Sequence, residues 1–446
     1  VTDIHDLVGV GFGPSNLALS IAAAEADVPL RAVFLERSER FGWHRDMLID
    51  DATMQVAFLK DLATPRNPVS RFGFVPYLWA RDRLSAFINQ KTLFPTRVEF
   101  HDYLEWAAAQ VDDVVEYAAE VVDIRPVHDN GEVAFLDVVS VRPDGQARVR
   151  RTRNVVLALG LQPVVPPGVH PSPRVWHSAD LLGRAATLDR AKPLRFAVVG
   201  AGQSAAECVS YLHRAFEQAE VHAVFGRYGY SPADDSPFAN RIFDPAAVDD
   251  YFVSPDQVKQ RFFDYHANTN YSAVDTELLE ELSHRVYRES LSGRQRLFTH
   301  HLSAITDLAD TDDGVSVSVE FLPTGERTML RVDHVIHATG YRPTDPIPLL
   351  GTTAELCHKD TLGRLRVERD YRVVTKPDVR TGIYLQGGTE HSHGISSSLL
   401  SNVAVRAGEI LASIQERPQR RDGDQDERTA RAGDDPARRA AALPRR

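Results

Sequence analysis

The stretch Asp6–Leu17 constrains what this chain can fold into more than any other. An apolar run, Leu7 to Val10, ends in Gly11-Phe12-Gly13, and Leu17 to Ala24 then reads as an alanine-rich helix. A strand that breaks into a glycine-rich turn and restarts as a helix is the setting in which a G-x-G-x-x-G loop carries meaning. Its glycines let the backbone approach a diphosphate, and the helix N-terminus offers N–H donors and partial positive charge. Gly11, Gly13, Pro14 and Ser15 are therefore candidate dinucleotide contacts, although Asn16 stands where a third glycine belongs. One such loop is a weak signal. The pattern recurs at Arg195–Ala205, where a second apolar strand leads into Gly200-Ala201-Gly202-Gln203-Ser204 and a helix from Ala205 to Phe216.

The residues ending the next strand of each unit distinguish the two loops. Leu30–Leu35 is followed by Glu36 and Arg37, and Glu36 lies 23 residues beyond Gly13. That is close to the roughly 20-residue spacing at which an acid meets an adenosine ribose; otherwise it is a solvated glutamate at a strand end. After Val221–Phe225 come Gly226 and Arg227, with no acid. An arginine there suits a 2′-phosphate and points to NADPH rather than NADH. Gly202-Gln203-Ser204-Ala205-Ala206 also resembles a G-x-S-x-G nucleophile elbow. The last glycine is missing and the same strand–turn–helix occurs at residue 11, so a hydrolase is set aside.

A chain of 446 residues has length for two to three domains. Its formal charge of −11 argues against nucleic acid or an anionic membrane as partner. No apolar run approaches the roughly 18 residues of a membrane helix, and the opening residues show no export signal. Cys208 and Cys357 form no CxxC, which suits a reduced, cytoplasmic protein and speaks against a disulfide reductase.

Residues 41–72 are irregular and mix aromatic and polar side chains, as site-lining loops do; Met54, Val56, Phe58 and Leu59 are too apolar for a wholly exposed excursion. Helices are expected at 83–90 and 97–110, and strands at 116–125, 132–141 and 147–152. Asn154–Gly160 reads as a buried strand, followed by a proline-rich connection that looks like an interdomain crossing. Residues 228–275 form a polar, aromatic insertion, with helices at roughly 255–266 and 276–290. Strands are expected around 314–321 and 328–332. Asp333–Tyr341 is again a strand ending in glycine, and after a strand at 382–385 a helix is expected to begin near Ser396–Ser398. Glu390, His391 and His393 lack a third partner at ligand spacing, so no metal site is expected. After Glu416 the composition is that of a disordered tail. The expected fold is α/β with two Rossmann-like dinucleotide-binding domains and a small, mainly helical insertion. The expected division is 1–165 with 335–412 for the first domain, 166–230 with 300–334 for the second, 231–299 for the insertion and 413–446 for the tail.

Several separated segments, GFGPSNL at 11–17, WH at 43–44, MQVAFLKDLATPRNPVSRF at 54–72, FPTRVEFHDYLEW at 94–106, GAGQSAAE at 200–207, DDSPFANRIFDP at 234–245, NTNYSAVD at 268–275 and HGISSSLLS at 393–401, are joined by a D-x3-[L/F]-A-T-G-Y-x4-[H/P] pattern from Asp333 to Pro346, with His337 at its Leu/Phe position. With these the chain resembles the microbial N-hydroxylating flavin monooxygenases, the ornithine and lysine hydroxylases of hydroxamate-siderophore synthesis, over roughly residues 5–412. In that family Asn16 is the usual letter of the loop. The resemblance implies an FAD domain interrupted by an NADPH domain.

It further implies FAD contacts from Gly11–Asn16, Glu36, Arg37, Trp43, His44, Gln55, Thr339, Gly340, Ser396 and Ser398. NADPH contacts are implied for Gly200, Gly202, Gln203, Ser204 and Arg227. Lys60 would take the substrate α-carboxylate and Asn240 and Asn270 its amino-acid end, with Gln55, Asn270 and Ser398 nearest the chemistry. Taken alone, Lys60 reads as a solvated lysine and the asparagines as turn formers. The implied reaction reduces FAD with NADPH, forms a flavin C4a-hydroperoxide with O2 and transfers oxygen to a terminal amine while NADP+ stays bound. L-ornithine is the expected substrate. Lysine, one methylene longer, differs by only about 1–3 kcal/mol of pocket energy, and a diamine such as putrescine or cadaverine would leave Lys60 without its anion. A flavin reductase without hydroxylation and a nucleotide-binding sensor are the readings from other classes. The family resemblance also implies a homotetramer.

Overall fold

The computed structural model describes residues 4–416; the expected tail beyond 416 lies outside the described residues. Two five-stranded parallel sheets form the frame. The first runs in the order Gly382–Leu385, Asn154–Leu157, Leu7–Val10, Ala32–Leu35, Val115–Glu116. The second runs Val175–His177, His334–His337, Arg195–Val199, Glu220–Val224, Leu297–His300. The inner strands Leu7–Val10, Asn154–Leu157 and His334–His337 are buried throughout and mostly apolar, with Asn154, His334 and His337 as exceptions, because helices and loops cover both faces.

The two units repeat one plan. A strand, a glycine loop, a helix (Pro14–Ala24; Gln203–Ala215) and a neighbouring parallel strand come first. An antiparallel meander follows, Glu120–Thr152 in one unit and Ser303–Val332 in the other. The chain then returns beside the opening strand, as Asn154–Leu157 or His334–His337. Each return ends in a left-handed glycine, Gly160 or Gly340, and a short strand, and these strands, Leu161–Pro163 and Tyr341–Pro343, pair antiparallel as the crossover between units.

Four expected boundaries move. His334–His337 completes the second sheet, so the return to the first domain comes after His337 rather than at 335. Leu297–His300 is the edge of that sheet and not part of the insertion. The single strand expected over 116–125 is two strands in different sheets, because Ala118 adopts φ 52 and turns the chain out of the parallel sheet. No long helix begins at Ser396–Ser398; those residues form a 3-10 turn, and the helix runs Val403–Glu416 with Ile414 buried, so residues 413–416 are the end of a helix rather than tail. Within the 54–60 loop Met54 is buried and Phe58 stacks among Phe74 and Phe87, whereas Leu59 is exposed after all.

Candidate active site

The first glycine of each loop serves the same packing need. Gly11 has φ 80, and a Cβ there would lie 2.5 Å from the Ala158 carbonyl oxygen; Gly200 has φ 141, with its Cβ position 2.3 Å from the Ala338 oxygen. Each loop is thus pressed against the end of its returning strand, and only glycine allows it. Gly13 faces open space and caps Pro14–Ala24 without a side-chain bond, leaving the first-turn N–H groups toward the crevice at the carboxyl ends of the strands. Asn16 has a job of its own: its buried amide donates to the Gly11 oxygen at 2.7 Å and the Val10 oxygen at 3.3 Å. Glu36 reaches the same loop and accepts from the Phe12 N–H at 2.7 Å and the Ser38 N–H at 2.9 Å; Arg37 is exposed beside it. Trp43 lies against Phe100, while His44 lies against Tyr341 at the crossover.

At the second loop, Arg227 donates to the Ser272 carbonyl at 2.9 Å, and the Ser272 Cα lies 3.4 Å from the Cβ position of Gly202. The insertion therefore crosses directly over this loop. Ser204 is half-buried at the helix start. Thr339 and Gly340 serve the crossover: the Thr339 hydroxyl donates to the Val164 oxygen, and the Gly340 oxygen accepts from the Val164 N–H at 3.0 Å.

Asp275 is the node that joins these parts. Its Oδ1 accepts from the Gln55 amide at 3.2 Å and its Oδ2 from the Gln203 amide at 2.9 Å, while its own N–H donates to Gln203 Oε1 at 2.9 Å. Gln203 also donates to Glu207 at 3.0 Å, and Glu207 holds Arg97 through two bonds of 2.9 and 2.7 Å. One chain of hydrogen bonds thus links the 54–60 loop, the insertion, the second dinucleotide loop and the helix Arg97–Ala108. Burial, and next the charge of Glu207, raise the Asp275 carboxyl above the ordinary aspartate range despite the two amides. Gln203 spends its whole side chain on this network, so any nucleotide contact from it is by backbone.

Asn270 sits five residues before Asp275 at the end of a 3-10 turn, beside Tyr271, whose hydroxyl donates to Glu390. Asn240 lies in the turn Ala239–Phe243, which packs on the turn Ile395–Ser398; its amide donates to the Asp235 oxygen at 2.7 Å. Ser396 is buried, and the Ser398 hydroxyl accepts from the Gly388 N–H at 3.4 Å. The structure thus joins Gln55 and Gln203 through Asp275, and separately brings the Asn240 turn onto the turn of Ser396 and Ser398, with Tyr271–Glu390 as the bridge; Asn270 is linked to the first set only along the chain. Lys60 joins neither set by a hydrogen bond. It stands half-buried, and no carboxylate of the described residues pairs with its ammonium. His391 and His393 each turn Nε2 to a backbone oxygen, of Leu365 and Arg369, and burial lowers the His393 pKa to about 3. Among the described residues no group of three His, Cys, Asp or Glu is placed to hold a metal.

Where the helices Pro14–Ala24 and Val403–Glu416 meet, the polar atoms Asn16 Oδ1, Gln386 Oε1, Ser397 Oγ, Ser401 Oγ, Asn402 Nδ2 and Arg406 Nε are buried without a hydrogen-bond partner. Buried polar groups are ordinarily paired. Other atoms without a partner occur elsewhere in the molecule, at Trp176, His334 and His337 among them, but those beside the first glycine loop fit a polar ligand held there, as a dinucleotide would be.

A family model described as L-lysine 6-monooxygenase/L-ornithine 5-monooxygenase matches residues 3–343. The chain belongs to this family. It is 37% identical to the L-ornithine N(5)-monooxygenase of Pseudomonas aeruginosa over 92% of this chain and 94% of that protein. The ornithine N-hydroxylase of Kutzneria sp. 744, solved with reduced FAD, NADP+ and L-ornithine, matches with 49% identity and a TM-score of 0.90 over 93% of this chain and all of that one. The L-lysine 6-monooxygenase of Pseudomonas syringae matches with 34% identity and a TM-score of 0.82, again over 93% of this chain and all of that one. The family membership and two-domain α/β fold expected from the motifs are borne out. Sequence reasoning missed Asp275, Glu207 and Arg97, although each is a letter of a quoted motif; what it lacked was their mutual contact. Arg406 lies outside every motif and gave no signal.

Proposed function

We propose that this enzyme uses FAD and NADPH to hydroxylate the side-chain amine of L-ornithine, supplying a hydroxamate siderophore or a related product. FAD, reduced by NADPH and exposed to O2, supplies the oxidant; the protein binds, orients and excludes water. FAD is assigned to the groove of Gly11–Asn16 and Glu36, and NADPH to Gly200–Ser204 with Arg227 at the 2′-phosphate. The observation that carries this reading is the Asp275 node. It ties the loop of Gln55 and Lys60 and the segment that follows Asn270 to the second glycine loop, which supports a shared cleft between them.

In that cleft Lys60 is assigned to the substrate carboxylate, as an ammonium without a protein counter-charge, and Asn240 and Asn270 to the amino-acid end. Gln55 and Ser398 are assigned to the reacting end. One Gln55 amide N–H is given to Asp275, which fixes the orientation of the amide and leaves its carbonyl oxygen as a free acceptor. A primary alkylamine has a solution pKa of about 10.4, and attack through its lone pair needs the neutral form. A water-poor pocket favours that form.

The test is incubation with NADPH and O2 and, in turn, ornithine, lysine, putrescine and cadaverine, with assay of hydroxylamine and peroxide. Hydroxylamine from ornithine above the others supports the reading; peroxide alone with every amine refutes it. We further assign the enzyme to the cytoplasm, in keeping with its unpaired Cys208 and Cys357. A homotetramer is assigned in keeping with the exposed apolar side chains of Val69, Trp79 and Ile88, and sedimentation tests it.

A further inference from the structure

Arg406 is a charge without a counter-charge. It is 1% exposed, and it lies in the first turn of Val403–Glu416. Its Nη1 donates to the Ser397 carbonyl, its Nη2 reaches the Ser15 hydroxyl at 3.5 Å, and its Nε has no partner. No carboxylate of the described residues forms an ion pair with it. The groups facing it are Glu409, Tyr371 and His393, with Arg369 on the far side of Glu409. Glu409 is already held by Arg369 through two bonds of 3.0 Å, and Tyr371 and His393 stack on each other with ring centroids 4.1 Å apart. Burial therefore works against the charged guanidinium, unrelieved by any direct acid.

The position makes this worse. Ser15 is in the first turn of Pro14–Ala24, and Arg406 is in the first turn of its own helix. Two positive helix ends and a guanidinium thus meet at the Ser15–Arg406 contact, an arrangement that repels itself until an anion joins it.

We propose that Arg406 is the buried counter-cation of the diphosphate bound at Gly11–Ser15. It is a positioning residue that compensates the dinucleotide from beneath the loop and, through the Ser397 carbonyl, holds the turn carrying Ser396 and Ser398 against it. The proposal rests on the FAD reading and adds a polarity to it: the arginine is a burden on the flavin-free chain and an asset to the loaded one.

The experiment compares the full-length chain with Arg406→Gln, which retains a donor for Ser397 without the charge, and Arg406→Lys, which retains the charge. Binding of FAD and of riboflavin, which has no phosphate, is titrated into flavin-depleted protein by flavin fluorescence, and thermal midpoints are read with and without FAD. For Arg406→Gln, FAD affinity falls at least about tenfold, riboflavin affinity changes by less than about threefold, and the flavin-depleted variant melts no lower than the parent. Arg406→Lys recovers most of the FAD affinity. The proposal is overturned if FAD binding to Arg406→Gln is unchanged, if riboflavin weakens as much as FAD, if the depleted variant melts well below the parent, or if Lys is as weak as Gln. Should Arg406→Gln not fold, Arg406→Lys decides: retention of FAD affinity within about tenfold supports the charge role, and a larger loss refutes it. A parent chain that takes up no FAD refutes the cofactor reading instead.

Discussion

Replacing Asp275 by asparagine keeps its shape and removes its acceptor-only character. In the parent, both carboxylate oxygens accept amide N–H bonds, from Gln55 at 3.2 Å and Gln203 at 2.9 Å. The asparagine offers one acceptor and one donor, so one glutamine must reverse. Gln203 is pinned on its other side by Glu207 and by the residue-275 N–H. Gln55, exposed and tied only here, is the one that turns. Its NH2 then faces the cleft where its carbonyl oxygen had been. A hydrogen bond to the neutral amine is worth about 0.5–1.5 kcal/mol, and setting a donor against it loses that bond outright, which puts the loss at the upper end, a factor of roughly ten. The expected outcome is a tenfold fall in the ratio of hydroxylamine to peroxide, with FAD content unchanged. Adding Gln55→Glu restores an acceptor toward the cleft and raises the ratio again, whereas Gln55→Glu alone sets two carboxylates together and is worse than the double variant. The parent ratio falls on acidification with a midpoint above the ordinary aspartate value of about 3.9, because burial raises this carboxyl and its protonated form is a donor. The asparagine variant is flat over that range. An asparagine variant with parental coupling, or a double variant no better than Gln55→Glu, would refute the reasoning.

Lys60→Ala removes the unpaired ammonium assigned to the substrate carboxylate. It should raise the KM for ornithine by roughly 10- to 100-fold while NADPH oxidation persists; an unchanged KM removes the assignment. Arg227→Ala should shrink the preference for NADPH over NADH by about tenfold, and an unmoved coenzyme ratio puts the 2′-phosphate elsewhere. Gly200→Ala forces a Cβ to within 2.3 Å of the Ala338 oxygen at φ 141. It should cost at least about 2 kcal/mol in stability, read as a lowered unfolding midpoint; a parental midpoint contradicts the steric argument.

The frame was legible in the sequence because a parallel sheet buries both faces of each strand. Leu7–Val10, Asn154–Leu157 and Arg195–Val199 stand out as apolar runs, and the glycines mark where they turn. Boundaries failed where pairing, not composition, decides membership. His334–His337 reads the same whether it joins the first sheet or the second, and only its register with Arg195–Val199 assigns it. The break at Ala118 was hidden because alanine gives no hint of a left-handed turn. At the site, residues within segments could be named but contacts between them could not. Asp275 and Gln203 are 72 positions apart, and Gln55 is 220 from Asp275. Arg406 shows a further limit, because an arginine in an amphipathic helix is ordinarily placed in solvent.

The two units also explain why the same loop serves different ends. Gly11 and Gly200 press against equivalent carbonyl oxygens, so the frame imposes the same turn twice. Beyond that turn the surroundings diverge. Gly13 opens on free space, and Glu36 bonds back to the loop it serves. Gly202 instead lies under Ser272, which Arg227 holds by its carbonyl, whereas the first loop is backed by Asn16 and Arg406, each with a buried polar atom left without a partner. A ligand at the first loop is thereby seated deep, between two helix ends. The second loop shares its space with the insertion that carries Asn270. That insertion also holds Gln55 through Asp275, which ties the 54–60 loop to the second glycine loop.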